Sequence, residues 1–158
     1  MKPRAPASLS ATALRLLATR EHSQLELRRK LRAREGADDE VEAVLERMRE
    51  TGLQSDARFA ESFVRSRGAR FGQARIRREL DERGVDADTA ATAVAEVLAG
   101  AGDELARARA VWARRFGAPA QDRKEWARQA RFLQARGFTS EVIRKLLKEP
   151  FDESAQGQ

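Results

Sequence analysis

Ile76-Arg77-Arg78-Glu79-Leu80-Asp81-Glu82-Arg83-Gly84-Val85-Asp86 is the stretch that decides the fold. Ile76 and Leu80 stand four residues apart, which places them on one face of a helix whose other faces are charged. Arg83-Gly84-Val85 reads as a helix stop in which Gly84 takes the left-handed conformation and Val85 folds back onto the helix. Asp86 or Asp88 then opens another helix, with Ala90, Val94 and Val97 inside. The same grammar returns at Leu133, Arg136-Gly137-Phe138 and Thr139, followed by Val142, Ile143, Leu146 and Leu147. It is also present earlier, at Leu31 and Gly36, followed by Val41, Val44, Leu45 and Met48. Leu31 and Leu80 are 49 positions apart and Leu80 and Leu133 are 53 apart, a repeat of about fifty residues.

Working outward, cap residues delimit the remaining helices. A first helix is predicted from about Ser10 to Thr19, with Leu14 and Leu17 buried. Ser23 with Glu26 forms a capping box for the helix that carries Leu27 and Leu31, and Asp39 with Glu42 supports the start of the next. Ser55 and Asp56 open the helix of Phe59 and Phe63. Leu105, Ala108, Trp112 and Phe116 line a helix closed by Gly117 and Pro119, and Asp122 with Glu125 caps the helix of Trp126, Ala130 and Leu133. The expectation is an all-α chain of nine helices in three tandem three-helix modules, forming an elongated, curved array. The modules span residues 1–56 (with an N-terminal arm marked by Pro3 and Pro6), 57–104 and 105–150. Pro150 stops the last helix, a polar tail follows over 151–158, and flexible junctions are expected near Gly52 and Gly100-Gly102. A module of this size buries little alone, so stacking on neighbours supplies the rest of its stability.

The composition excludes several functions. There is no cysteine among the 158 residues, which removes disulfides, thiolate metal sites and cysteine nucleophiles and is compatible with a reducing cytosol. No apolar run is long enough for a transmembrane helix or a secretory signal. His22, the only histidine, is expected as a solvated loop residue, and no phosphate-cradling glycine loop occurs. Asp38-Asp39-Glu40 sits at a helix start, where acids favour the dipole, so capping explains it better than a cation does. Trp112 and Trp126 read as core residues, and without tyrosine a base-stacking surface is not indicated. No cofactor is expected and no catalytic constellation is present; the chain reads as a non-enzyme.

What remains is charge. The net charge is +6, with 26 Arg against 5 Lys, and the whole excess lies in residues 105–158. A GC-rich genome accounts for an Arg excess as readily as function does. The middle module nevertheless holds Arg65, Arg67, Arg70, Arg75, Arg77 and Arg78 within fourteen residues free of acids, straddling Phe71 and Gly72. Such a cluster suits phosphates or a carboxylate-rich protein face; a solvated loop is the plain alternative. A second basic group comprises Arg107, Arg109, Arg114, Arg115, Arg123, Lys124, Arg128, Arg131 and Arg136. Gln73, Arg75 and Arg77 come nearest to a base-reading helix start, but the other modules lack an equivalent, so backbone binding is favoured.

Taken in order, these landmarks resemble the RecX family, regulators of the RecA recombinase. The run Ser23-Gln24-Leu25-Glu26-Leu27-Arg28-Arg29-Lys30-Leu31 is similar to its first-module signature, and Gly52-Leu53 with Asp56-Ala57-Arg58-Phe59-Ala60 to the junction that follows. Gly72 to Leu80, Arg83-Gly84-Val85 and Phe132-Leu133-Gln134-Ala135-Arg136-Gly137-Phe138 match later landmarks, over roughly residues 10–148. The resemblance implies a cytoplasmic, monomeric, non-enzymatic protein that binds the RecA nucleoprotein filament and inhibits its ATPase, strand-exchange and coprotease activities. Contact residues expected on this reading are Arg65, Arg67, Arg70, Arg75, Arg77 and Arg78, then Arg123, Lys124, Arg128 and Arg131. The alternative is a basic helical protein that acts by competing for single- or double-stranded DNA. The chain departs from its relatives in having no tyrosine, which removes any contact that relies on a phenolic hydroxyl.

Overall fold

A computed structural model describes residues 8–34 and 37–148. The expectations for Gly36 and for Pro3, Pro6, Pro150 and the tail lie outside the described residues. Nine helices and no strand occur among the described residues: α1 (Leu9–Thr19), α2 (Gln24–Arg32), α3 (Asp38–Glu50), α4 (Asp56–Arg67), α5 (Gln73–Glu82), α6 (Ala87–Leu98), α7 (Glu104–Arg115), α8 (Arg123–Ala135) and α9 (Ser140–Leu147). They fall into two compact units, Met1–Phe63 with Leu80–Ala93 and Val64–Glu79 with Val94–Gln158.

In the N-terminal unit, α1, α2 and α3 pack on one another. Their core is Ala13, Leu27, Leu31, Val41, Leu45 and Met48, with Leu9, Leu16, Leu17 and Val44 half-buried against it. The capping box is present: Ser23 Oγ accepts from Glu26 N, and Glu26 Oε2 accepts from Ser23 N. Two expectations are corrected. Leu14 is 46% exposed, because Leu9, Ala13, Leu16 and Leu17 set the inward face of α1 and Leu14 lies off it. The α3 start has Ala37 as its cap, with no side-chain hydrogen bond; Glu42, expected in a capping box, is held by Arg28 at 2.6 Å instead.

In the C-terminal unit, α7, α8 and α9 pack on one another around Ala108, Val111, Leu133, Phe138 and Ile143. Trp112 and Trp126 are half-buried, and Trp112 Nε1 donates to the fully buried Gln129 at 2.8 Å. The two glycine stops take the same form. Gly84 (φ +79°) and Gly137 (φ +89°) are left-handed, with Val85 N donating to Leu80 O and Phe138 N to Leu133 O. Gly84 N and Gly137 N donate three residues back, to Asp81 O and Gln134 O, which completes a Schellman motif at each.

These stops also join successive repeats. A Cβ on Gly84 would stand 2.7 Å from Leu25 Cβ at the start of α2. A Cβ on Gly137 would overlap Arg75 near the start of α5, and Gly72 N donates to Arg136 O at 2.8 Å across the same approach. Each of these helix starts is capped by the first residue of a later helix: Gln24 N donates to Asp56 Oδ1 at the start of α4 and Gln73 N to Glu104 Oε1 at the start of α7, both at 2.8 Å. The recurring element is therefore a helix start received by the carboxylate that opens a later helix and by a left-handed turn glycine.

Candidate functional site

The short loop between α4 and α5 brings the first basic cluster together, all of it within the C-terminal unit. Phe71, 8% exposed, ends that loop, and four guanidiniums surround its ring. Arg75 lies 4.0 Å from the ring centroid, Arg136 5.3 Å, Arg70 5.6 Å and Arg67 5.7 Å. A guanidinium over a ring face gains electrostatic attraction while its edge N–H groups stay available, which holds several like charges close without a counterion for each. One carboxylate tempers the group: Glu79 accepts from Arg75 Nε at 3.0 Å and lies 3.8 Å from Arg67. Arg75 Nη1 also donates to Ala135 O at 3.2 Å, so this side chain ties α5 to the end of α8.

Arg65, Arg70, Arg77 and Arg78 are exposed. Arg65, Arg77 and Arg78 have no ion-pair partner among the described residues; Arg77 and Arg78 follow the buried Ile76 on α5 and are exposed. Of the six arginines read from the sequence, three converge on Phe71 and three stand apart from it.

Arg136 extends the row. It lies 5.1 Å from the Phe132 ring as well, Phe132 meets Phe116 edge-on at 5.2 Å, and Arg115 and Arg128 each stand 5.6 Å from Phe116. Arginines and phenylalanines therefore form one continuous row from Phe71 to Phe116. A cleft of about 240 Å³ on this row is lined by Arg70, Arg114, Arg115, Arg136, Phe132 and Val111. Sequence reasoning did not choose Arg114, Arg115 or Arg136 among the contacts, and it discounted aromatic stacking by searching for tyrosine and tryptophan. The signal that pointed to Arg136 was its place in the repeated Arg-Gly-aromatic stop.

The second cluster differs in character. Arg123, Lys124, Arg128 and Arg131 are exposed on α8, and Lys124, Arg128 and Arg131 line a shallow cleft together with Asp122 and Glu125. Those carboxylates cap the helix, Asp122 Oδ1 accepting from Glu125 N and Glu125 Oε2 from Gln121 N, so this face carries mixed charge.

Two buried groups were missed. His22 is 1% exposed and not a solvated loop residue. Lys30 Nζ donates to its Nε2 at 3.1 Å, which leaves Nδ1 to donate to Arg20 O at 3.0 Å and fixes the neutral ring. Burial, followed by the nearby Arg20 and Lys30 charges, holds its pKa below the ordinary 6.5 against a raising bond to the Arg20 carbonyl. Its carbonyl accepts from Gln54 Nε2, and Gln54 also donates to Asp56 Oδ1. Arg107, placed by sequence in the basic face, is 6% exposed; Nη2 donates to Phe71 O at 3.0 Å, and burial lowers its pKa. Among the described residues no helix is long and apolar enough to cross a membrane.

Comparisons with known proteins agree with the repeat. Residues 11–48, 55–94 and 102–147 match the models of the first, second and third three-helix domains of RecX. The regulatory protein RecX of Leptothrix cholodnii is 48% identical over 141 residues, covering 89% of this chain and 88% of the relative. That of Pseudomonas entomophila is 45% identical over 144 residues, covering 90% and 91%. The crystal structure of RecX from Lactobacillus salivarius superposes with a TM-score of 0.71 at 21% identity, covering 89% of this chain and 93% of that one, a likeness of fold.

Proposed function

Because the chain belongs to the RecX family of regulatory proteins, we propose that it binds the RecA nucleoprotein filament and inhibits its ATPase, strand-exchange and coprotease activities. The observation that carries the reading is the gathering of Arg67, Arg70, Arg75 and Arg136 on Phe71, beside exposed Arg65, Arg77 and Arg78. A filament offers two anionic surfaces, its DNA backbone and the carboxylates of its protomers, and this face suits both. Arg123, Lys124, Arg128 and Arg131 act next, more weakly, because Asp122 and Glu125 share their surface. On this reading the protein is a cytoplasmic monomer that needs no cofactor and catalyses nothing; its effect is differential binding to one state of the filament.

The Arg-Phe row supports a second reading, direct competition for DNA, since ring faces and guanidiniums both stack on bases. Co-sedimentation with RecA filaments on single-stranded DNA, beside binding to the same DNA without RecA, separates the two. Filament action requires binding that saturates with RecA protomers and survives salt that strips the protein from naked DNA. Loss of both at the same salt concentration would transfer the function to DNA competition.

A further inference from the structure

A cleft of about 390 Å³ lies in the C-terminal unit, with Val64, Val97 and Leu98 among its apolar lining and Arg65, Arg107 and Arg114 as its charged groups. No acidic residue and no aromatic ring lines it. Arg107 is the informative member. The residue is buried, 6% exposed. One of its five N–H groups is bonded to Phe71 O, and Nε has no hydrogen-bond partner among the described residues. Glu104 acts on it only through space: its Oε1 accepts from Gln73 N at the start of α5, and no ion pair joins Glu104 to Arg107 among the described residues. A buried cation without a direct ion pair is costly, and an anion arriving from outside would relieve that cost. Arg65 and Arg114, exposed and without ion-pair partners among the described residues, surround the same cleft with positive charge.

The lining selects the ligand. Aliphatic walls without a ring offer a nucleobase no aromatic face, while they accommodate a branched aliphatic side chain. Guanidinium forks match a carboxylate's two oxygens. We propose that this cleft is a docking site for a peptide segment of a partner protein that presents an aliphatic side chain beside a carboxylate, with the carboxylate held by Arg107, Arg65 and Arg114. The site gives Arg65 a peptide rather than a phosphate to contact. It does not depend on the filament reading, because its test contains no RecA.

The test uses the full chain and a fluorescein-labelled peptide alternating leucine and glutamate, followed by fluorescence anisotropy at physiological salt. The glutamine counterpart of the peptide and a labelled oligothymidylate serve as comparisons. Arg107→Met also removes the bond to Phe71 O, so the exposed lining residues Ala110 and Arg114 carry the test. The glutamate peptide should bind about tenfold more tightly than the glutamine peptide, the difference expected of one charge-assisted pair. Ala110→Leu, which fills the cleft, and Arg114→Glu, which reverses its charge, should each weaken the peptide by about tenfold. Ala110→Leu should leave the oligothymidylate unchanged. Equal binding of the two peptides, or wild-type binding of the glutamate peptide by both variants, overturns the proposal. So does an Ala110→Leu effect confined to the oligothymidylate.

Discussion

Gly137→Ala tests the junction on which the basic site rests. Gly137 is left-handed at φ +89°, and its Cα faces Arg75 so closely that an added Cβ would stand 2.7 Å from Arg75 N and 3.0 Å from Arg75 Cα. Gly117, in the same unit, shares the strain (φ +72°) without the crowding; the nearest atom to its Cβ would be Ala113 O at 3.6 Å. Left-handed backbone with a side chain costs about 1–2 kcal/mol, partly offset because alanine also restricts the unfolded chain. Gly117→Ala should therefore lose about 1 kcal/mol. Gly137→Ala adds an overlap with backbone that no rotamer relieves, about 1–3 kcal/mol as for overpacking. It also threatens the bond from Gly72 N to Arg136 O, about 1 kcal/mol more. The expected loss is about 3–5 kcal/mol, at least about 2 kcal/mol beyond the control. Urea unfolding followed by tryptophan fluorescence is the assay, since Trp112 and Trp126 both lie in this unit. Equal losses for the two variants would refute the close approach of the α8 stop to α5.

Four further outcomes follow from the geometry. Arg77→Ala with Arg78→Ala should weaken filament inhibition while leaving the unfolding midpoint within about 0.5 kcal/mol of wild type, as exposed unpaired arginines contribute little; Arg75→Lys should impair both inhibition and stability, because a lysine cannot keep the Phe71 face, Glu79 and Ala135 O together. Asp56→Ala should destabilise the N-terminal unit by about 1–3 kcal/mol, leaving Gln24 N without its acceptor and Gln54 Nε2 with only the His22 carbonyl, as read by far-UV circular dichroism in urea. His22, with its pKa held below 6.5, is neutral in both states well above that pH and contributes no slope there. As the pH falls below 6.5 the unfolded chain takes up the proton first, so stability drops until the folded pKa is passed and then levels. Proton NMR of the sole imidazole should give a midpoint below 6.5, and His22→Gln should flatten the acid-side slope; a midpoint at or above 6.5 contradicts the buried neutral ring.

What the sequence made legible was most of what is encoded within one turn or one helix face. Ser23 with Glu26, Asp122 before Glu125, and the Schellman stops at Gly84 and Gly137 depend on residues three to five apart, and each is found where its spacing places it. Groups that answer to distant partners were not legible. Asp56 reads as the start of its own helix, and it also receives Gln24, 32 residues earlier. His22 looks like a polar loop residue until Lys30 and Gln54 close over it. Arg107 is one arginine among many in the sequence, and only the approach of the Phe71 carbonyl from 36 residues away removes it from the basic face. Leu14 is the opposite case: an apolar residue beside the inward stripe of α1, left outside because Ala13 takes the inner position. Charge counting found the arginines of residues 65–78; their division into those on Phe71 and those facing outward arises from tertiary packing.

The central claim is tested most directly by RecA's single-stranded-DNA-dependent ATP hydrolysis, with this protein titrated over preformed filaments and excess DNA then added. The account predicts inhibition that is complete below one copy per RecA protomer and persists when DNA is added. Hydrolysis unchanged at equimolar protein, or restored in full by the added DNA, would contradict it.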